Sequence, residues 1–182
     1  KYPHVTYFIN GGREDPYPGE KRVLIPSPNV ATYDLQPEMS VREVAEEVIR
    51  AIKNTDYKFI VVNFANGDMV GHTAVKKAII LAMNELDAAL GEVVCEAIGN
   101  NVSTIITADH GNVDEINNPK TGNPNTQHSL NPVPCIVIDN NNKWKIINEK
   151  NAGLSNIAPT LLTLMGIEKP KEMTSKTLIE KS

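Results

Sequence analysis

The most informative part of the chain is residues 58–73, which read Lys-Phe-Ile-Val-Val-Asn-Phe-Ala-Asn-Gly-Asp-Met-Val-Gly-His-Thr. It opens with a continuous apolar run at 58–64, and such a run predicts a strand buried on both faces of a parallel sheet. Asp68 and His72 follow shortly after this run. Open α/β sheets place their functional sites just beyond the carboxyl ends of the strands. The stretch therefore predicts an α/β fold with a site at the end of this strand.

Strand and helix patterns alternate on both sides of this stretch. Further strands are predicted at residues 4–9, 23–25, 102–107, 135–138 and 145–147. Helices are predicted from a capping box at Ser40, over residues 73–98, and from Ser155 to Gly166. The core stripe of the long helix is predicted to be Ile79, Ile80, Met83, Leu86, Ala89, Leu90 and Val93. This order predicts a mostly parallel sheet flanked by helices.

The composition is that of an ordinary globular domain and excludes several classes of partner. The chain has 182 residues, 41% hydrophobic and 22% charged, which suits one domain. A net charge of −4 argues against a nucleic-acid-binding face, and the apolar runs are shorter than the ~20 residues that span a membrane. Cys95 and Cys135 fall in apolar patterns and are predicted to be buried thiols of a cytoplasmic protein. Because the chain begins with Lys1, residue 1 is expected to be a cut point inside a longer protein.

Two more segments combine acidic and histidine residues beside predicted strands. Thr-Ala-Asp-His-Gly-Asn at 107–112 follows one strand, and Gln-His-Ser-Leu-Asn-Pro-Val-Pro at 127–134 precedes another. Both segments and the 66–73 segment are expected at the same edge of the sheet. Carboxylate and imidazole ligands together suit a divalent metal such as Zn²⁺ or Mn²⁺. The convergence predicts a metal site.

Each segment alone also has a simpler interpretation. Asp68 and His72 fit the start of a helix, where an acid complements the dipole. Asp109-His110-Gly111 fits a plain turn, and His128 fits an ordinary loop histidine. The metal interpretation depends on the three segments meeting.

The three segments resemble the metal motifs of the cofactor-independent phosphoglycerate mutases. Asn-Gly-Asp-Met-Val-Gly-His-Thr at 66–73 is similar to the family signature N-P-D-M-V-G-H-T, and 107–112 and 128–134 are similar to its other two motifs. The family's sequence in the corresponding regions is also similar to residues 1–12, 156–160 and 168–174 of this chain. The resemblance covers nearly the whole chain in order.

The resemblance implies an alkaline phosphatase-like fold and two Mn²⁺ ions, or other divalent metals in some members. It implies that Asp68, His72 and His128 hold one ion, and that Asp109 and His110 help to hold the other. Lys1 matches a family lysine close to the reacting phosphoryl group. The implied reaction interconverts 3-phosphoglycerate and 2-phosphoglycerate in glycolysis through a phosphoserine.

The same resemblance implies that residues 1–182 are only the C-terminal part of the phosphatase domain. The family's nucleophilic serine, in a first segment with the N-terminal strand, and its inserted transferase domain have no counterpart in this chain. We therefore expect this chain to bind one divalent ion and to be inactive alone. The full-length parent is expected to be a cytoplasmic monomer, whereas this chain is expected to self-associate through an exposed sheet edge.

Two other kinds of function fit the same residues. One is a different enzyme of the same superfamily, such as a phosphopentomutase, a phosphodiesterase or a sulfatase. The other is a metal-binding or interaction domain without catalytic activity. The sequence at 66–73 and 168–174 favours the mutase over the other enzymes of the superfamily.

Overall fold

The computed structural model describes residues 1–54 and 56–182. Four α-helices are assigned: α1 Val41–Lys53, α2 Asn66–Gly71, α3 Lys76–Gly99 and α4 Ile157–Leu164. Four strands are assigned: β1 Thr104–Thr107, β2 Cys135–Ile138, β3 Trp144–Ile146 and β4 Ile179–Lys181. Single 3₁₀ turns lie at Tyr2–Val5, Tyr33–Leu35, Val113–Glu115 and Leu154–Asn156. Within the described residues, no helix combines the length and apolar character needed to cross a membrane.

The chain forms two compact units. The first comprises residues 1–96 and 110–131, and the second comprises residues 97–109 and 132–182. In the first unit, α1 buries one stripe, Val41, Ala45, Val48 and Ile52, with the spacing of an amphipathic helix. A second apolar cluster joins α2 to the start of α3 through the buried residues Met39, Val70, Ala78, Ile79 and Ala82. This cluster fixes α2, the helix that carries Asp68.

The second unit contains both sheets. Strand β1 pairs with β2 from Thr104↔Ile138 to Thr107↔Cys135, and β3 pairs with β4, both in antiparallel register. Helix α4 is fastened to the C-terminal segment through buried Thr160. The Thr160 hydroxyl donates to the carbonyl of Asn156 at 2.7 Å and accepts from the N–H of Leu178 at 2.9 Å.

The predicted α/β class is confirmed, but the predicted pairing of the strands needs correction. In the part of the chain that the structure describes, the assigned ladders are antiparallel rather than parallel. Residues 58–64 carry no assigned strand, because a strand is defined by its ladder and the ladders assigned among the described residues do not include this segment. Its apolar side chains are therefore largely exposed, with Phe59 at 48%, Val61 at 40% and Val62 at 37%.

Several local predictions are also wrong for identifiable reasons. Residues 4–9 are not a strand, because Pro3 favours the start of a 3₁₀ turn at Tyr2–Val5. Helix α1 begins where predicted, but Ser40 does not cap it and instead donates to the carbonyl of Pro26 at 2.6 Å. Ile80, which was predicted to lie on the core stripe of the long helix, is instead 48% exposed.

The cysteine prediction was also wrong in part. Cys95 is exposed and Cys135 is half-buried. Cys95 lies two residues from buried Val93 on α3, and two residues turn a helix by roughly 200°. Its side chain is therefore on the opposite face from the core stripe.

Candidate metal centre

A carboxylate and three imidazoles meet in the first unit. Asp68 lies on α2, and His72 caps the end of that helix one turn later. The Oδ1 atom of Asp68 is 3.0 Å from Nε2 of His72, 3.1 Å from Nε2 of His128 and 3.9 Å from Nε2 of His110. Three of the four histidines in the chain therefore point a ring nitrogen at one carboxylate oxygen.

The rings are packed against one another. His110 and His128 are stacked, with centroids 3.5 Å apart and planes 15° apart. The centroid of His72 is 5.1 Å from that of His128. The three rings therefore form one packed group beside Asp68.

The donor set fits a divalent metal ion. Asp68, His110 and His128 each offer one ligand atom, and these atoms lie within 4.8 Å of one another. A carboxylate with two or three imidazoles is a common ligand set for Zn²⁺, Mn²⁺ and similar ions. Unprotonated Nε2 atoms and a carboxylate oxygen are all acceptors, so their close approach needs a shared proton or a cation between them. The cluster therefore has the chemistry of a cation site.

A backbone carbonyl orients one of these rings. Nδ1 of His72 is 2.6 Å from the carbonyl oxygen of Thr126. Because a carbonyl only accepts, Nδ1 is assigned the proton, which leaves the Nε2 lone pair facing Asp68. Metal-ligating histidines in proteins are commonly oriented in this way.

Asn112 holds the carboxylate in place. This residue is buried, and its Nδ2 donates to Oδ1 of Asp68 at 2.9 Å and to the backbone carbonyl of Asp68 at 3.3 Å. Its role was not predicted, although Asn112 closes the Asp-His-Gly-Asn segment at 109–112. The signal available in the sequence was an amide two residues after the histidine of this segment.

Lys1 supplies a positive charge at the other carboxylate oxygen. Its Nζ forms a hydrogen-bonded ion pair with Oδ2 of Asp68, and both side chains are mostly buried, at 20% and 13% exposed. The lysine predicted to bind substrate thus lies against the cluster.

These contacts keep Asp68 ionised. Burial raises the pKa of Asp68, but the hydrogen bonds from Lys1 and Asn112 and the charge of Lys1 outweigh it and lower the pKa to about 2. A carboxyl whose pKa falls on folding stabilises the fold above its ordinary value of 3.8, and this contribution is lost as the pH falls toward 2. Asp68 is therefore an anion at neutral pH.

The other predicted ligand, Asp109, is exposed and belongs to the second unit. The three-residue group combines His110 with Asp68 and His128, which the resemblance assigns to a different ion. The division of the ligands between two ions stays a prediction.

Comparison with known proteins identifies the family. The family model described as the Metalloenzyme superfamily matches residues 1–169. The chain belongs to this superfamily. A metal-binding cluster in the first unit is consistent with that membership.

Relatives within the Metalloenzyme superfamily confirm the resemblance seen in the sequence. The chain is 50% identical over 180 residues to the 2,3-bisphosphoglycerate-independent phosphoglycerate mutase of Bacteroides thetaiotaomicron, covering 99% of this chain and 35% of that protein. It is 49% identical over 181 residues to the enzyme of that name in Pseudomonas aeruginosa, covering 98% of this chain and 34% of the relative.

A solved structure confirms the fold. The phosphoglycerate mutase of Leishmania mexicana, crystallised at low cobalt concentration, superposes with a TM-score of 0.92 at 33% identity. The match covers 100% of this chain and 36% of the Leishmania chain. The chain thus spans about a third of the length of the relatives that it matches.

Proposed function

We propose that this chain is the metal-binding part of a phosphoglycerate mutase that interconverts 3-phosphoglycerate and 2-phosphoglycerate through a phosphoserine. The observation that carries the proposal is the meeting of Asp68, His110 and His128 within 4.8 Å. The identity of about half of all residues with enzymes named as such mutases, along the whole chain, supports it. Residues 1–182 would then form the C-terminal part of a phosphatase domain in a glycolytic, cytoplasmic enzyme.

The proposed ligands follow the resemblance. Asp68, His72 and His128 would hold one divalent ion, proposed to be Mn²⁺, and Asp109 and His110 would contribute to a second. A bound ion would act as a Lewis acid toward a hydroxyl nucleophile and the phosphoryl oxygens. Asn112 and the carbonyl of Thr126 fix the orientation of Asp68 and His72, so the donor atoms are preorganised.

Lys1 would serve the phosphoryl group of the substrate. Its ammonium lies beside Asp68, and a lysine binds phosphate as a mobile point charge. A cation held by the histidines would share the charge of Asp68, and the ammonium of Lys1 would then be available to phosphate oxygens. The nucleophilic serine would come from the part of the family's length that this chain does not cover.

Isothermal titration with Mn²⁺ tests the proposal. We expect one tight site per chain, because a single complete set of ligands is assigned to one ion. No interconversion of the two phosphoglycerates is expected from this chain alone, whereas the full-length parent should catalyse it. Two equivalent tight sites, or turnover by the isolated chain, would contradict the proposal. Phosphopentose and aryl phosphates serve as control substrates for the parent.

We also propose that the isolated chain self-associates through the apolar face around residues 58–64. Phe59, Val61 and Val62 are exposed there and line a cavity of about 900 Å³. Exposed apolar side chains of this kind favour burial against another chain. Light scattering should therefore give a mass above 20.0 kDa that falls toward this value in Val61→Lys. A monomer in the unsubstituted chain would contradict this.

A further inference from the structure

A second network of hydrogen-bonded side chains includes Ser129, the chain neighbour of His128. Its centre is Asp114, on the 3₁₀ turn Val113–Glu115. Oδ2 of Asp114 accepts hydrogen bonds from the hydroxyl of Ser129 at 2.6 Å and from Nδ2 of Asn131 at 2.7 Å. The Ser129 hydroxyl and the Asn131 amide hold the pKa of Asp114 below its ordinary value, although burial opposes this. The carboxylate is thus ionised and accepts from both partners.

The backbone draws the same two segments together. Gly111 and Ser129 form an antiparallel bridge, in which the N–H of Ser129 donates to the carbonyl of Gly111 at 3.0 Å. A Cβ atom at position 111 would stand 2.2 Å from Oγ of Ser129 and 2.6 Å from Oδ1 of Asp114. Ser129 and Asp114 can come this close to the backbone of residue 111 only because that residue has no side chain.

Each member of this bridge is the chain neighbour of a histidine in the cluster. Gly111 follows His110, and Ser129 follows His128. The two rings are stacked at 3.5 Å and turn their Nε2 atoms toward Asp68. Any slip between the two segments would shift one imidazole past the other.

We infer that Asp114 is a positioning residue for the metal centre: it fastens the Ser129–Asn131 segment to Gly111 and so fixes His110 relative to His128. Asp114 acts through its hydrogen bonds with Ser129 and Asn131. This inference rests on the proposed function, because it assumes that the cluster binds a metal ion. The chemistry it requires is a divalent cation held by imidazole nitrogens.

The test compares Asp114→Asn with Asp87→Asn in the full 182-residue chain. Asp87 is exposed on α3, so its substitution removes the same charge without touching the network. Mn²⁺ affinity is measured by titration, and the visible spectrum of bound Co²⁺ reports the coordination geometry. Partners of metal-bound histidines typically contribute 10–100-fold to affinity. We expect Asp114→Asn to bind Mn²⁺ about 10-fold more weakly or worse, with an altered Co²⁺ spectrum, and Asp87→Asn to match the unsubstituted chain.

A double variant separates positioning from loss of folding. In Asp114→Asn/Asn131→Asp the carboxylate and the amide exchange places, so that the charge-assisted hydrogen bond between the two positions is restored. We expect this variant to recover most of the affinity and the Co²⁺ spectrum.

The outcomes distinguish a failure of the positioning role of Asp114 from a failure of the proposed function. If the unsubstituted chain binds Mn²⁺ and Asp114→Asn binds it equally well with the same Co²⁺ spectrum, the positioning role is refuted and the proposed function stands. Lower thermal stability with unchanged metal binding would likewise refute it, since the contact would then serve the fold alone. If the unsubstituted chain binds no metal, both the proposed function and this inference are overturned.

Discussion

Substitution of His128 by alanine is expected to weaken Mn²⁺ binding by at least about 100-fold, since even residues behind metal ligands contribute 10–100-fold. Nε2 of His128 lies 3.1 Å from Oδ1 of Asp68, and its ring stacks on His110. The substitution therefore removes one proposed ligand and also the ring against which His110, another proposed ligand, is stacked. Because the side chain is 46% exposed, little core packing is lost. Titration calorimetry measures the affinity, and circular dichroism checks that the fold is kept.

His4→Ala is the matched control for this prediction. His4 is the one histidine outside the cluster; it is exposed and packs edge-on against Phe8, with ring centroids 5.8 Å apart. Its loss removes the same imidazole without touching a proposed ligand, so Mn²⁺ affinity should be unchanged. Equal affinities in the two variants would remove His128 from the ligand set.

Sequence patterns predicted the elements that local interactions determine. Helix α1 begins at its predicted start and strand β2 spans its predicted residues, because helical amphipathicity and short β-branched runs are local signals. Residues 58–64 were predicted as a strand for the same reason. A ladder needs a partner, and pairing is a long-range property that no local pattern contains. The antiparallel register of β1 with β2 was missed for this reason as well.

The candidate site was predictable where the chemistry is carried by residue type. An aspartate and a histidine four residues apart share one face where a helix carries both, and Oδ1 of Asp68 lies 3.0 Å from Nε2 of His72. The contacts that orient the site were not predictable from residue type alone. Asn112 and the carbonyl of Thr126 reach the cluster only because particular loops bring them there. Their roles depend on loop geometry rather than on residue type.

The second large effect is expected from Gly71→Ala at the end of α2. A Cβ atom at position 71 would stand 2.2 Å from Oδ1 of Asn112 and 2.6 Å from its Cγ, well inside contact distance. Asn112 is 6% exposed and donates twice to Asp68, so it cannot move aside without losing these hydrogen bonds. Overpacking of this kind costs about 1–3 kcal/mol. We expect the free energy of unfolding in urea to fall by that amount, and Mn²⁺ affinity to fall about 10-fold as Asp68 loses its support.

Gly91→Ala on α3 provides the matched control, because a Cβ built there meets no described atom within 4 Å beyond its chain neighbours and the backbone of its own helix. The same substitution should then stabilise the chain by about 0.5–1 kcal/mol, the usual gain when alanine replaces glycine inside a helix. In an Asn112→Ala background the obstacle at position 71 is gone, so Gly71→Ala should cost little further stability or affinity. Non-additivity of this kind is expected only between residues in contact. If Gly71→Ala were as stable as Gly91→Ala and bound Mn²⁺ normally, Asn112 would not be the residue that holds Asp68 in place.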